Sequence, residues 1–179
     1  WYSFWQQQNF NCLSSPTMAL QAGIHANNFA FVFIAGYQAA VRKVFPELPQ
    51  SGWVAFAASE DKQNPQENPP VIAIANAYGF EINGAKSWVA QSKWVDHLVI
   101  TAKTTNDELI TAIVDRHQQS VNISHREAPA FLPAMSQGFA RFTNYNVEQQ
   151  HCIADNRLKL FMKNESKFIM LALCGWFFR

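Results

Sequence analysis

The sequence predicts an α+β protein: an antiparallel β-barrel-like middle domain flanked by N-terminal helices and one C-terminal helix. Three observations carry this. Apolar residues recur at helical spacing up to about residue 50, and again after Asp155. Between them lie short runs rich in Val, Ile, Thr and aromatic residues, separated by Asn, Asp and Gln clusters. No helix-length pattern interrupts those runs, which favours antiparallel pairing, closed or nearly closed, over a parallel sheet. The expected domains are residues 1–51 (helical), 52–154 (the β-barrel) and 155–179 (the start of a C-terminal helical domain).

Taken in order, Ser15 and Pro16 supply an N-cap and a proline at the first helical position. Met18, Ala19 and Ala22 then follow near helical spacing. A second helix is expected over Tyr37–Phe45, where Val41, Val44 and Phe45 fall at i, i+3 and i+4, and Pro46 and Pro49 stop it. Strands are expected over Trp53–Ala57, Val71–Ala75, His97–Ala102, Leu109–Val114 and Phe139–Phe142. Gly79–Val89 reads as a β-hairpin turning at Asn83-Gly84, a pair suited to a two-residue turn because both central residues take positive φ. That turn would place Lys86, Trp88 and Ala90 on one face and Ser87 and Val89 on the other. Asp61–Pro70, with three prolines and no glycine, reads as a mobile loop.

Composition narrows the function. Of 179 residues, 49% are apolar and 14% aromatic, so core material is ample. Only 15% are charged, against roughly 25% in ordinary soluble domains, so either a partner or second subunit is expected to cover some surface, or the chain is a piece of a larger protein. A net charge of +1 with no basic run argues against nucleic acid as a partner. Cys12, Cys152 and Cys174 are widely spaced, with no Cys-x-x-Cys pair, and read as reduced, buried thiols of a cytoplasmic protein. The longest apolar runs, Phe29–Gly36 and Phe168–Phe178, fall short of the roughly 18–20 residues that cross a bilayer. The sequence starts at Trp1 without a signal-peptide pattern, and a processed or trimmed product is expected.

The residues name no acid, base or nucleophile. There is no Gly-x-Gly-x-x-Gly, no phosphate-binding Walker loop, no His-Glu-x-x-His and no Gly-x-Ser-x-Gly. His25 reads as structural; His117, His125 and His151 read as surface or loop residues. Ser59-Glu60-Asp61 ends a strand, and its carboxylates read as solvated. Trp88, held in a strand, could be core or the wall of a site for a flat ligand.

The order of motifs resembles the acyl-CoA dehydrogenase family of flavoproteins over nearly the whole length. Gly36-Tyr-Gln-Ala-Ala-Val-Arg-Lys-Val-Phe-Pro-Glu-Leu48 resembles the helix closing that family's N-terminal domain. Ser51–Glu60 is similar to the segment leading into its Thr-Glu-Pro motif. Phe80–Gln91 resembles its Leu-Asn-Gly-x-Lys-x-Trp-Ile-Thr-Asn segment, Asp96–Ala102 the strand that follows, and Phe139–Phe142 with Val147 the strand near the end of the β-domain.

The resemblance implies FAD as cofactor, an acyl-CoA substrate, hydride transfer to flavin N5, an electron-transfer partner and a homo-oligomer. By position, Trp88 would pack near the isoalloxazine, bordered by Phe56, Ala58 and Ser59, with the Ser59 hydroxyl at the ring's polar edge. Two departures bear on the cofactor. The family's threonine beside the tryptophan is Ala90, so only its backbone could meet the flavin. The glycine-rich Glu-Pro-x-x-Gly-Ser-Asp loop is replaced by Glu60–Gln66, without glycines to let backbone approach a diphosphate. The family's catalytic glutamate comes from a later helical region, so no catalytic residue is assigned within these 179 residues. A non-catalytic binding or oligomerisation module derived from the same fold is the alternative.

Overall fold

A computed structural model describes residues 1–127, 129–153 and 157–179. The boundary expected at 154/155, with the helix start placed just after Asp155, lies outside the described residues. The chain forms two compact units: Trp1–Trp53 with Ala130–Met135 and Arg157–Arg179, and Val54–Pro129 with Ser136–Asn156.

The first unit is helical: α1 (Tyr2–Gln7), a 3-10 turn at Phe10–Cys12, α2 (Ser15–His25), α3 (Phe29–Val44) and α4 (Leu158–Phe177). The cap of α2 is Ser14, one residue before the expected Ser15; its hydroxyl accepts the Thr17 N–H. The helix expected over Tyr37–Phe45 starts eight residues earlier, because Asn28 caps it through Phe31 N–H and the apolar run Phe29–Gly36 forms its first turns. Twelve of its sixteen residues are buried, so it lacks the polar stripe by which a surface helix is recognised.

Small residues let the helices approach closely. A Cβ at Gly23 would meet the Ala172 backbone, one at Gly36 that of Ile169, and one at Gly175 that of Leu20. The abundant aromatics pack here: Trp1 stacks on Phe31 at 4.8 Å, and Trp5 meets Phe10 and Trp53 edge-on. His25 lies beside Phe4 and Phe10 in the same cluster. The cysteines are free but not buried as expected: Cys12 and Cys174 are exposed and Cys152 is half-buried. Arg157 ties α4 to the end of α3 through Val44 O and a two-pronged pair with Glu47. Among the described residues, no helix is long and apolar enough to cross a membrane.

Among the described residues, the second unit is built on an eight-stranded sheet, whose first strand begins at Trp53 of the first unit: β1 (Trp53–Ala57), β2 (Ile72–Asn76), β3 (Gly79–Ala90), β4 (Val95–Thr104), β5 (Leu109–Asp115), β6 (Val121–His125), β7 (Gln137–Glu148) and β8 (Cys152–Ile153). The order is β6-β7-β3-β2-β4-β5-β8, with β1 on β4. The pairs β2–β3, β3–β7, β4–β5, β5–β8 and β6–β7 are antiparallel as expected, whereas β2 and β4 pair in parallel over Ile72–Lys103 and Ala73–Thr104. The pairings of the described residues form an open path rather than a closed barrel. One face of the sheet gathers the core, including Ala73, Ile82, Val89, Leu98, Ile100, Ala112 and Phe142.

The hairpin expected at Asn83-Gly84 is not there. β3 runs unbroken from Gly79 to Ala90, and the turn back to β2 is Ala77-Tyr78, closed by Asn76 pairing with Gly79. The Asn76 side chain accepts the Tyr78 and Gly79 N–H groups, an Asx turn that replaces the Asn-Gly turn chemistry. Gly84 instead sits at a register shift against β7, with φ of +126° and Val71 so near that a Cβ would lie 2.7 Å from its Cα.

A second irregularity between Lys86 and Val89 breaks the expected alternation. Lys86 and Val89 are both buried, while Trp88 is left half-buried, so Lys86 does not share a face with Trp88. The insertion of an extra residue against β7 is the physical reason, since it resets which way each later side chain points.

Candidate functional site

The site begins where β1 runs out beside β3. Ser87 N–H donates to Ser59 O at 2.9 Å, which brings Ser59 next to Trp88. Trp88 is half-buried and its indole N–H donates to Gln137 Oε1 at 3.2 Å, so the ring's orientation is held from β7. Arg126, just past β6, donates to Ser87 O at 2.8 Å and lies over the Phe139 ring at 4.5 Å. Of the residues expected at the site, Ser59 is exposed, Ala58 and Trp88 are half-buried, and Phe56 and Ala90 are buried beneath the surface. Ala90 pairs across the ladder with Gln137, which places it under the indole's anchor.

Below the wall lies an ion pair that the sequence reading missed. Lys86 Nζ donates to Glu60 Oε1 at 2.8 Å, to Thr101 Oγ1 at 3.1 Å and to Ala58 O at 3.4 Å. Its side chain is 1% exposed, against 31% for Glu60. Burial holds the Lys86 amine below its ordinary value, with Glu60 opposing that shift. Glu60 Oε1 also accepts Val71 N–H, so one carboxylate pins both ends of the 61–70 loop to β3. Glu60 is therefore not the solvated strand-end acid that its neighbours in sequence suggest; its partner lies 26 positions away.

The loop itself is tied down, contrary to the mobile segment expected. Asp61 accepts from Gln63 N–H, Asn64 N–H and the side-chain amides of Asn64 and Asn68. These donors, the Asn64 backbone first, hold the Asp61 carboxyl below the usual range. Arg141 on β7 fastens the far side through Glu67 O and Asn68 Oδ1.

The consequence is chemical. The amides that a glycine-rich loop offers to an anion are here occupied by an internal carboxylate. At the other side of the wall the field is positive. His125 Nδ1 meets Ser92 Oγ at 3.0 Å, and its pKa is lowered by burial and by the charges of Lys93 and Arg116. Among the described residues, no group of His, Cys, Asp and Glu could hold a metal ion.

These residues fit an aromatic ligand with a polar edge: an oriented indole on β3, an exposed hydroxyl just past β1 and a guanidinium just past β6 held by Ser87 O. They fit a diphosphate at the 61–70 loop poorly, because its carboxylate faces the amides such a group would need. Gln137 and Arg126 left no trace in the sequence, since neither lies near Trp88 along the chain.

No family model matches the sequence, and no curated protein matches it. Solved structures do. The chain is similar to the FAD complex of PigA (13% identity, TM-score 0.73, covering 98% of this chain and 57% of that one). It is also similar to the prolyl acyl carrier protein oxidase AnaB (16%, 0.71, 92% and 51%). A third is butyryl-CoA dehydrogenase from Megasphaera elsdenii (11%, 0.69, 83% and 45%). The chain has the fold of the acyl-CoA dehydrogenase-type flavoproteins. It spans about half the length of the solved structures it matches.

Proposed function

We propose that this chain is the flavin-facing part of an acyl-CoA dehydrogenase-like, FAD-dependent oxidoreductase. The observation that carries the reading is the Trp88 wall, half-buried and held by Gln137, with Ser59 beside it. Trp88 and Ala58 would border the isoalloxazine, Ser59 would meet its polar edge, and buried Phe56 and Ala90 would support the wall from beneath. When bound, FAD supplies a two-electron acceptor for the hydride that leaves the β-carbon of an acyl thioester. The protein's own part is to orient the ring, exclude water from one side and supply positive charge through Arg126. The solved structures similar to this chain include a CoA-thioester dehydrogenase and an acyl carrier protein oxidase, which supports an acyl thioester as substrate. An electron-transfer partner and homo-oligomeric assembly belong to the same reading, and the widely spaced cysteines support a cytoplasmic setting.

The second reading is a binding or oligomerisation module that keeps the fold without turnover. Ala90, which offers no hydroxyl, and the Asp61-filled loop favour it. Gel filtration of the FAD-incubated chain separates the two. Flavin absorbance that stays with the protein is the expected result for the flavin-facing part of an oxidoreductase; a colourless chain that takes up no FAD supports the module and contradicts the flavin assignment.

A further inference from the structure

We propose that the second unit carries a separate small-ligand site, at the end of its sheet remote from Trp88. Its ligand is a neutral or cationic molecule with one aromatic ring, or an apolar group of that size, and a single hydrogen-bonding head. The observation is a cavity of about 270 Å³ lined by Ala75, Phe80, Ile110 and Cys152, with Thr104, Thr105, Asn106, Glu108 and Gln149 around them. Phe80 and Trp88 are eight positions apart on β3, on the order of 25 Å at strand rise. The site is therefore independent of the flavin reading.

Register shows why the cavity is there. Ala75 pairs with Phe80, and each lies two residues from a core position, Ala73 and Ile82. Cys152 pairs with Ala112, which shares its face with Ile110. All four side chains thus point along the core face. β2 and β4 pair only as far as Ala73–Thr104, after which β4 turns into β5 through Asp107 at positive φ. Among the described residues, Phe80 and Cys152 pack against the core here but stay only partly buried.

Size and charge select the ligand. A cavity of about 150 Å³ lined by aliphatic and aromatic side chains holds benzene, so this one has room for a ring and a head group. The head would meet the hydroxyls and amides of Thr104, Thr105, Asn106 and Gln149. Among the described lining residues Glu108 is the one carboxylate, and it disfavours an anion. Burial pushes the Cys152 thiol up to about 11, so it adds no charge to the floor.

Titration of the isotope-labelled full chain with benzylamine, benzyl alcohol and benzoate, read by NMR, tests the proposal. Benzylamine and benzyl alcohol are expected to shift the Ile110 methyls and the Thr104–Glu108 amides saturably, and benzoate to leave them in place. Filling the cavity with Ala75→Leu should weaken both ligands by roughly ten-fold or more. Glu108→Gln, a surface change that does not threaten folding, should weaken benzylamine relative to benzyl alcohol. Absent or non-saturable shifts, shifts centred on Trp88, benzoate binding as well as benzylamine, or a Glu108→Gln chain with an unchanged benzylamine preference would overturn it.

Discussion

Gly36→Val is expected to destabilise the helical unit by about 3 kcal/mol or more. A Cβ at position 36 would lie 2.5 Å from the Ile169 nitrogen and 2.7 Å from the Phe168 carbonyl carbon. Those are backbone atoms of α4, so no rotamer change relieves the clash; α3 and α4 must separate. Separation would loosen contacts around Phe168, 2% exposed, which sits at the crossing. The conservative change decides the argument by its sign. In an exposed helix, Gly→Ala stabilises by about 1 kcal/mol through backbone entropy. Here the close approach should outweigh that gain and make Gly36→Ala destabilising. Urea unfolding of the two variants reads this directly, and a Gly36→Ala chain more stable than the parent would show that the helices do not touch at this point.

Glu60→Gln is expected to cost about 3 kcal/mol, toward the lower end for a broken buried pair because Glu60 keeps 31% of its side chain exposed. It leaves Lys86, 1% exposed, charged without its counter-ion. Lys86→Met should cost less, since the carboxylate left behind can be hydrated while methionine fills the buried stem's place. The order of the two losses, Glu60→Gln above Lys86→Met, is the diagnostic result. The pH dependence adds a second check. Burial lowers the folded-state Lys86 pKa below its ordinary 10.5, so the unfolded chain binds that proton more tightly. Stability from this group therefore rises as pH climbs through the folded pKa toward 10.5, and the rise should be steeper in Glu60→Gln. Chemical denaturation across that alkaline window measures the slope; a flat profile in Glu60→Gln would mean that Lys86 is hydrated in the folded state.

Local pattern made part of this architecture legible. Trp53–Ala57 was readable to the residue, because five apolar positions bounded by turn residues leave little choice. The start of α2 was readable to one residue from Ser and Pro chemistry. The failures share a cause: the deciding partner lay far along the chain. Asn83-Gly84 reads as a turn locally, yet pairing with β2 and β7 holds both residues inside one long strand, and the glycine sits at a register shift against β7 with Val71 close by. β6 and most of β7 escaped notice because little in them is apolar and buried: β6 buries none of its five residues, and β7 exposes Arg141, then Thr143 and Asn144 in succession, which interrupts its alternation. At the site, Trp88 was visible as a residue type. Gln137, which orients it, and Lys86, which fixes Glu60, depend on register shifts that no local spacing encodes.

The account rests on the indole at position 88 serving as the platform for a flavin ring. Equilibrium dialysis of FAD against the full chain and against Trp88→Ala measures that most directly. The expected result is saturable uptake by the parent and a loss of about 1–3 kcal/mol, roughly five- to 150-fold, in the variant, the range that ring stacking supplies. No uptake by the parent chain, or equal affinity in Trp88→Ala, would contradict it.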